Sequence, residues 1–124
     1  MTKTVSIIVP CYNEQSTIHL LLNAIHRQTY PRSMMEVVIA DGGSTDGTRA
    51  AIQDWQAAHP DLQVNLVDNP KKIIPAALNT AIKAASGEII VRLDAHSEPQ
   101  EDYVARSVAA LENGVDKLRI NPGN

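Results

Sequence analysis

Three observations predict an α/β fold, a mostly parallel sheet flanked by helices. Short apolar, β-branched runs alternate with longer stretches whose apolar residues recur at helical spacing. Each run is closed by a cluster of Gly, Asp, Asn or Pro. The strand-then-helix order repeats along the chain, which favours parallel pairing and right-handed crossovers.

Val5-Ser6-Ile7-Ile8-Val9 reads as a buried parallel strand ended by Pro10. From Ser16 to Gln28, Ile18, Leu21, Leu22 and Ile25 fall on one helical face. Val37-Val38-Ile39-Ala40 is a second buried strand, ended by Asp41-Gly42-Gly43. Asp46 to His59 is a helix with Ala50, Ala51 and Trp55 inward and Pro60 beyond its end. Gln63-Val64-Asn65-Leu66-Val67 alternates and so belongs nearer a sheet edge. Pro75 to Ser86 is a helix with Pro in its first turn and Gly87 past its end. Glu88 to Leu93 is a fourth strand. Ser97, with Gln100 as capping box, opens a helix running to Glu112, where Glu98, Glu101 and Asp102 suit the first turn and Gly114 stops it.

The length of 124 residues and an apolar content of 44% fit one domain with a core that needs no disulfide. A net charge of −3 offers no basic field for nucleic acid. Cys11 is the sole cysteine, which excludes an internal disulfide or a Cys-rich zinc site and reads as a packing residue. Gly42-Gly43-Ser44-Thr45-Asp46-Gly47 does not match G-x-G-x-x-G, and no P-loop is present, which disfavours a nicotinamide dehydrogenase or a P-loop NTPase. No apolar run is long enough to span a membrane, and no signal peptide opens the chain.

In open parallel sheets ligands bind outside the carboxyl ends of the strands. Four polar clusters should therefore share one edge: Pro10-Cys11-Tyr12-Asn13-Glu14, Asp41 to Gly47, Asp68-Asn69-Pro70-Lys71-Lys72, and Asp94-Ala95-His96. Singly, each is as well explained by turn and cap chemistry. Asp94 is harder to explain that way, since it ends an apolar strand where an unpaired carboxylate is costly to bury. Asp94 and His96 are a plausible bite for one divalent cation. His19 and His26 stand too far apart on one helix to share a metal and read as surface residues.

These four segments resemble, in order, the signatures of family 2 glycosyltransferases. Val5 to Glu14 is similar to the family's opening. Asp41-Gly42-Gly43-Ser44-Thr45-Asp46-Gly47-Thr48 is similar to its second signature, and Pro75-Ala76-Ala77-Leu78-Asn79 with Ser86-Gly87-Glu88 to its third. Asp94-Ala95-His96 occupies the place of its D-x-D motif. Lys71-Lys72-Ile73-Ile74-Pro75 paired with Arg92-Leu93-Asp94-Ala95-His96-Ser97 resembles the succinoglycan-biosynthesis glucosyltransferase subgroup.

The resemblance implies a GT-A fold, of which residues 1–114 are the N-terminal nucleotide-sugar-binding part and 115–124 a tail unlike the family continuation. It implies a UDP-linked donor, UDP-glucose among the candidates, and a polysaccharide or lipid-linked saccharide acceptor in exopolysaccharide or cell-envelope synthesis. By similarity Pro10, Tyr12 and Glu14 line the nucleoside pocket, and Asp41 contacts the base. Lys72 or Lys71 adds a positive contact, and Asp94 and His96 bind Mg²⁺ or Mn²⁺ on the diphosphate. Two departures stand out. Gly42 replaces a second Asp of many relatives, and His96 replaces the last Asp of D-x-D. The catalytic base and the acceptor segment are expected beyond residue 124, so none is assigned. The piece is then expected to bind donor without turnover. A cytoplasmic location is expected, at the inner membrane face in the full-length protein, with any membrane contact made by the missing C-terminal part. The alternative is a non-catalytic assembly domain that associates through an exposed strand edge.

Overall fold

The computed structural model describes residues 2–112. The expected tail, 115–124, and the helix stop at Gly114 lie outside them. Four parallel strands form one sheet in the order β3-β2-β1-β4: β1 (Val5–Cys11), β2 (Met35–Asp41), β3 (Gln63–Asp68) and β4 (Ile89–Arg92). Helices α1 (Ile18–His26), α2 (Thr48–Ala58), α3 (Ile74–Ala84) and α4 (Tyr103–Glu112) alternate with them, and a 3₁₀ turn at Arg32–Met34 precedes β2.

Burial on both faces explains the continuous apolar runs of β1 and β2. Ile7, Val9, Val37, Ile39 and Val91 pack with Leu21, Leu22, Ile52, Trp55 and Val104 on the face covered by α1, α2 and α4. Ile8, Val38 and Ala40 pack with Ala77 and Ala81 of α3 on the other face. β3, the alternating strand, is at one edge and only half buried.

The structure corrects several sequence expectations. β1 does not end at Pro10 but continues to Cys11, with Pro10 opposite Ala40. Proline is tolerated there because of the direction it faces. Ile8 accepts from Leu93 N on the β4 side, and Pro10, two residues on, turns the same way, past the last residue of β4. On α2 it is Ile52, not Ala50, that turns inward with Trp55, and Ala50 is exposed. His26 is no plain surface residue: its ring meets Trp55 edge-on, and its Nε2 lies 3.1 Å from Asp61 Oδ1.

The largest correction is α4. Ser97 does not cap it. Ser97 N donates to Asp94 O in a tight turn, and the helix starts only at Tyr103, leaving Glu98 and Glu101 in the preceding loop. The cap comes from a distant residue, the buried Gln28. Its Oε1 accepts from Val104 N at 2.9 Å, and its Nε2 donates to Gln100 O at 2.7 Å.

Candidate donor-binding site

All four strands end on the same side of the sheet, and the loops that follow them enclose a cleft of about 200 Å³. Its walls carry Pro10, Tyr12 and Glu14 from the first loop and Gly42 from the second. Asn69 and Lys72 come from the third, and Asp94 and His96 from the fourth. Ile73, Ile74 and Ala77 supply an apolar side where α3 begins. Six of the seven site residues expected from sequence thus share one cleft. Lys71 does not line it, whereas Lys72 does.

The first two loops are fastened to each other. Asn13, at φ 50°, accepts from Thr45 N through Oδ1 at 2.8 Å, and its own N–H donates to Ser44 Oγ at 2.8 Å. Glu14 N donates to Thr48 Oγ1 at 2.9 Å, and Gly47 N to Gln15 Oε1 at 2.9 Å. Short Asn, Ser, Thr and Gly residues recur here because their side chains, or their lack of one, let two backbones cross-bond. Tyr12 is half exposed at the cleft mouth, and a Cβ placed on Gly42 would meet its ring edge at 3.5 Å.

Asp41 is the expected site residue that does not reach the cleft. Its carboxylate is fully enclosed. Oδ2 accepts from Gly43 N at 3.1 Å, Ser44 N at 2.9 Å and Arg49 Nε at 2.8 Å, and Oδ1 accepts from Ser44 Oγ at 2.5 Å. Burial raises its pKa, but the Ser44 donors and the Arg49 guanidinium outweigh burial and hold it below the ordinary value. Arg49 also pairs with Asp68 at the end of β3, so it ties together the ends of two strands. Gly43 takes the left-handed conformation (φ 85°) that this turn requires.

Lys72 sits at φ 61°, an unusual conformation for a residue with a side chain. A Cβ on Gly43 would lie 3.8 Å from its Nζ, so the ammonium hangs over the Asp41–Ser44 turn. Cys11 is walled in, and burial first, then the carboxylates of Asp41 and Glu14, push its thiol up to about 12. It is therefore a neutral packing group and no nucleophile.

Asp94 is a quarter exposed, and its Oδ1 lies 3.4 Å from Arg92 Nη2. The carboxylate is therefore partnered rather than stranded. His96 is exposed beside it. Among the described residues no group of three or more His, Cys, Asp or Glu gathers to make a protein-only metal cage. A carboxylate and an imidazole on a cleft wall do fit a hard cation that keeps waters and takes its other ligands from a diphosphate.

A protein-family model described as glycosyl transferase family 2 matches residues 6–117. The chain belongs to that family. Among curated members, it is 38% identical to the glycosyltransferase AglE of Haloferax volcanii, over 98% of this chain and 41% of that protein. It is 42% identical to the succinoglycan biosynthesis protein ExoA of Rhizobium meliloti, over 97% of this chain and 37% of that protein. Among solved structures, the mannosyltransferase PcManGT from Pyrobaculum calidifontis, in complex with GDP-Man and Mn²⁺, matches with a TM-score of 0.85 and 42% identity, over 90% of this chain and 33% of that one. The S. aureus TarS 1-349 complex with UDP matches with a TM-score of 0.76 and 26% identity, over 89% of this chain and 32% of that one. The family 2 chain thus spans about two-fifths or less of the length of these relatives, and its sheet is the parallel, helix-flanked GT-A sheet expected from sequence.

Sequence reasoning gave no individual role to three residues of this region, although Asn69 and Arg92 lie within segments it singled out. Arg49 and Arg92 each pair with a carboxylate the sequence did single out, and Asn69 is among the residues lining the cleft. Only Arg92, two residues before Asp94, could have been paired from spacing.

Proposed function

We propose that this family 2 chain holds a nucleoside-diphosphate sugar across the C-terminal edge of its sheet, as the donor-binding part of a transferase. The observation that carries this reading is the convergence of loops from all four strands on one cleft that offers a ring, carboxylates, a lysine and an imidazole. In this reading Pro10, Tyr12 and Glu14 line the nucleoside end, and Lys72 meets the diphosphate. Asp41, with its oxygens taken, serves the nucleoside through the turn it holds rather than by direct contact. Asp94 and His96 hold Mg²⁺ or Mn²⁺. When bound, the cation stabilises the charge that builds on the diphosphate as the sugar departs. The PcManGT complex, which carries GDP-Man and Mn²⁺, supports both ligands by likeness.

The donor is read as a UDP- or GDP-sugar, with UDP-glucose the finer reading from the motifs shared with the succinoglycan subgroup. The acceptor is read as a polysaccharide or a lipid-linked saccharide. Likeness to ExoA and to undecaprenyl-phosphate 4-deoxy-4-formamido-L-arabinose transferase of Aeromonas hydrophila supports that class. The place of action is the cytoplasmic face of a membrane in the full-length protein. No helix among the described residues is long and apolar enough to cross one. No described residue is assigned as general base.

The test is Asp94→Ala. It should abolish Mn²⁺-dependent binding of UDP and GDP, measured by calorimetry, whereas His96→Ala should cost less. Unchanged affinity in Asp94→Ala removes the metal assignment. One observation favours a second reading, assembly through a sheet edge: β4 has a neighbour on one side only among the described residues, and Ile90 is exposed on it. Light scattering across concentrations decides that, and a monomer throughout sinks it.

A further inference from the structure

Arg92 keeps a buried N–H that nothing satisfies, beside the carboxylate read above as a cation ligand. Its backbone is fixed as the last residue of β4, opposite Ile8 of β1. Its Nη2 lies 3.4 Å from Asp94 Oδ1, and its side chain is 29% exposed. Its Nε is buried with no hydrogen-bond partner. Three such side-chain atoms exist among the described residues, and only this one belongs to a charged side chain. A stranded N–H on a cation is costly, and a long apolar side chain at the same position would avoid the cost. The single loose ion pair to Asp94 offsets little of it, since both partners meet solvent. Stability gives no reason for an arginine here, which leaves the charge itself.

Asp94 does not need Arg92 to hold its place. Asp94 O accepts from Ser97 N at 3.0 Å, and Leu93 N donates to Ile8 O at 3.1 Å, so the backbone on both sides of the carboxylate is pinned. No other ion pair reaches Asp94 among the described residues, and Arg92 meets its Oδ1 alone. We propose that Arg92 is a counter-ion that keeps Asp94 from taking up a free divalent cation, so that the cleft accepts the cation only together with a nucleoside diphosphate. In the empty cleft the guanidinium already matches the charge of the carboxylate. A bare cation therefore gains little from Asp94 and is repelled by Arg92 behind it. A cation carried on a diphosphate arrives with its charge offset by phosphate oxygens, and the guanidinium does not repel that pair. The inference rests on the reading of Asp94 as a cation ligand and adds what restrains that ligand when no donor is present.

The test reads cation binding without nucleotide, which a purely structural arginine would not change. Free Mn²⁺ is followed by its electron paramagnetic resonance signal as protein is added, first alone and then with saturating UDP or GDP. In Arg92→Met, which keeps the length and removes the charge, affinity for Mn²⁺ alone should rise about three- to tenfold. Affinity in the presence of nucleotide should not rise, so the enhancement of Mn²⁺ binding by nucleotide should shrink by about the same factor. Arg92→Lys, which keeps the charge, should stay within about twofold of the wild type. Arg92→Gln, also neutral, takes the place of the methionine variant if that one does not melt cooperatively. Adding Asp94→Ala should remove the gain, because the gain is made through that carboxylate. Unchanged or weaker binding of Mn²⁺ alone in a folded neutral variant overturns the proposal. So does an equal gain in Arg92→Lys, or a gain that survives Asp94→Ala. Failure of the underlying reading looks different: Asp94→Ala in the otherwise wild-type chain then leaves Mn²⁺ binding with nucleotide unchanged, and the role of Arg92 falls with it.

Discussion

Glu36 shows how much one side chain at the far end of the sheet from the cleft can hold. It is 7% exposed, and its Oε2 accepts from Ser6 Oγ at 2.5 Å, Ser86 N at 2.6 Å and Ser86 Oγ at 3.0 Å. Ser6 Oγ in turn accepts from Gly87 N at 2.7 Å. Glu36→Ala strands these donors and should cost about 2–4 kcal/mol, with Glu36→Gln milder, read as a shift of the urea midpoint. Gly87 matters for a different reason from the helix stop that its position after α3 implied. A Cβ there would lie 2.6 Å from Ser6 N and 2.8 Å from Val5 C, both backbone atoms. Gly87→Ala should therefore destabilise by about 2–3 kcal/mol even though no contact is removed. Cys11, neutral and walled in, should resist iodoacetamide at pH 7.5 in the native state and react on unfolding in urea. Prompt native labelling would show that the first loop opens. None of these close approaches is written in local sequence, since each joins residues that the chain order keeps apart.

At the level of elements, strands β1, β2 and β3 and the helices α1 to α3 were legible because each buries a periodic apolar set, and burial on both faces makes β1 and β2 plain. What could not be read locally was decided by long-range partners. Pro10 stays in a strand because β4 is short on the side it faces. The S-x-x-Q pattern at Ser97 predicts a cap, but Asp94 claims Ser97 N, and Gln28 caps α4 across the fold. Gln28→Ala should strip Val104 N and Gln100 O of their partners together. A loss of about 2–3 kcal/mol is expected, with faster amide exchange in the first turn of α4 than elsewhere. Uniform exchange across all helices would mean that Gln28 supports the whole core instead. The cleft was legible as four strand-end loops, and their convergence follows from parallel pairing alone. The enclosure of Asp41 by Arg49 was not, because an α2 side chain reaching back to β2 leaves no pattern in sequence.

For the whole molecule, two enclosed carboxylates give stability a direction with pH. Burial raises the pKa of Glu36 and of Asp41, but the donors around each outweigh it and leave both below their ordinary values. A depressed folded pKa means that the unfolded chain binds its proton first as pH falls. Their contribution is therefore complete above about pH 4–5 and is lost progressively below that, as pH approaches the folded values. Urea midpoints should be flat from pH 7 to 5 and fall toward pH 3, with a shallower fall in Glu36→Gln. Melting the chain with UDP and with GDP, each with Mn²⁺ and again with excess chelator, tests whether the cleft at the strand ends takes a nucleoside diphosphate with a divalent cation. Binding at about 100 times the dissociation constant should add roughly 2.7 kcal/mol, seen as a rise of several degrees in Tm that the chelator removes. An unchanged Tm with either nucleotide, in a sample that melts cooperatively, would contradict it.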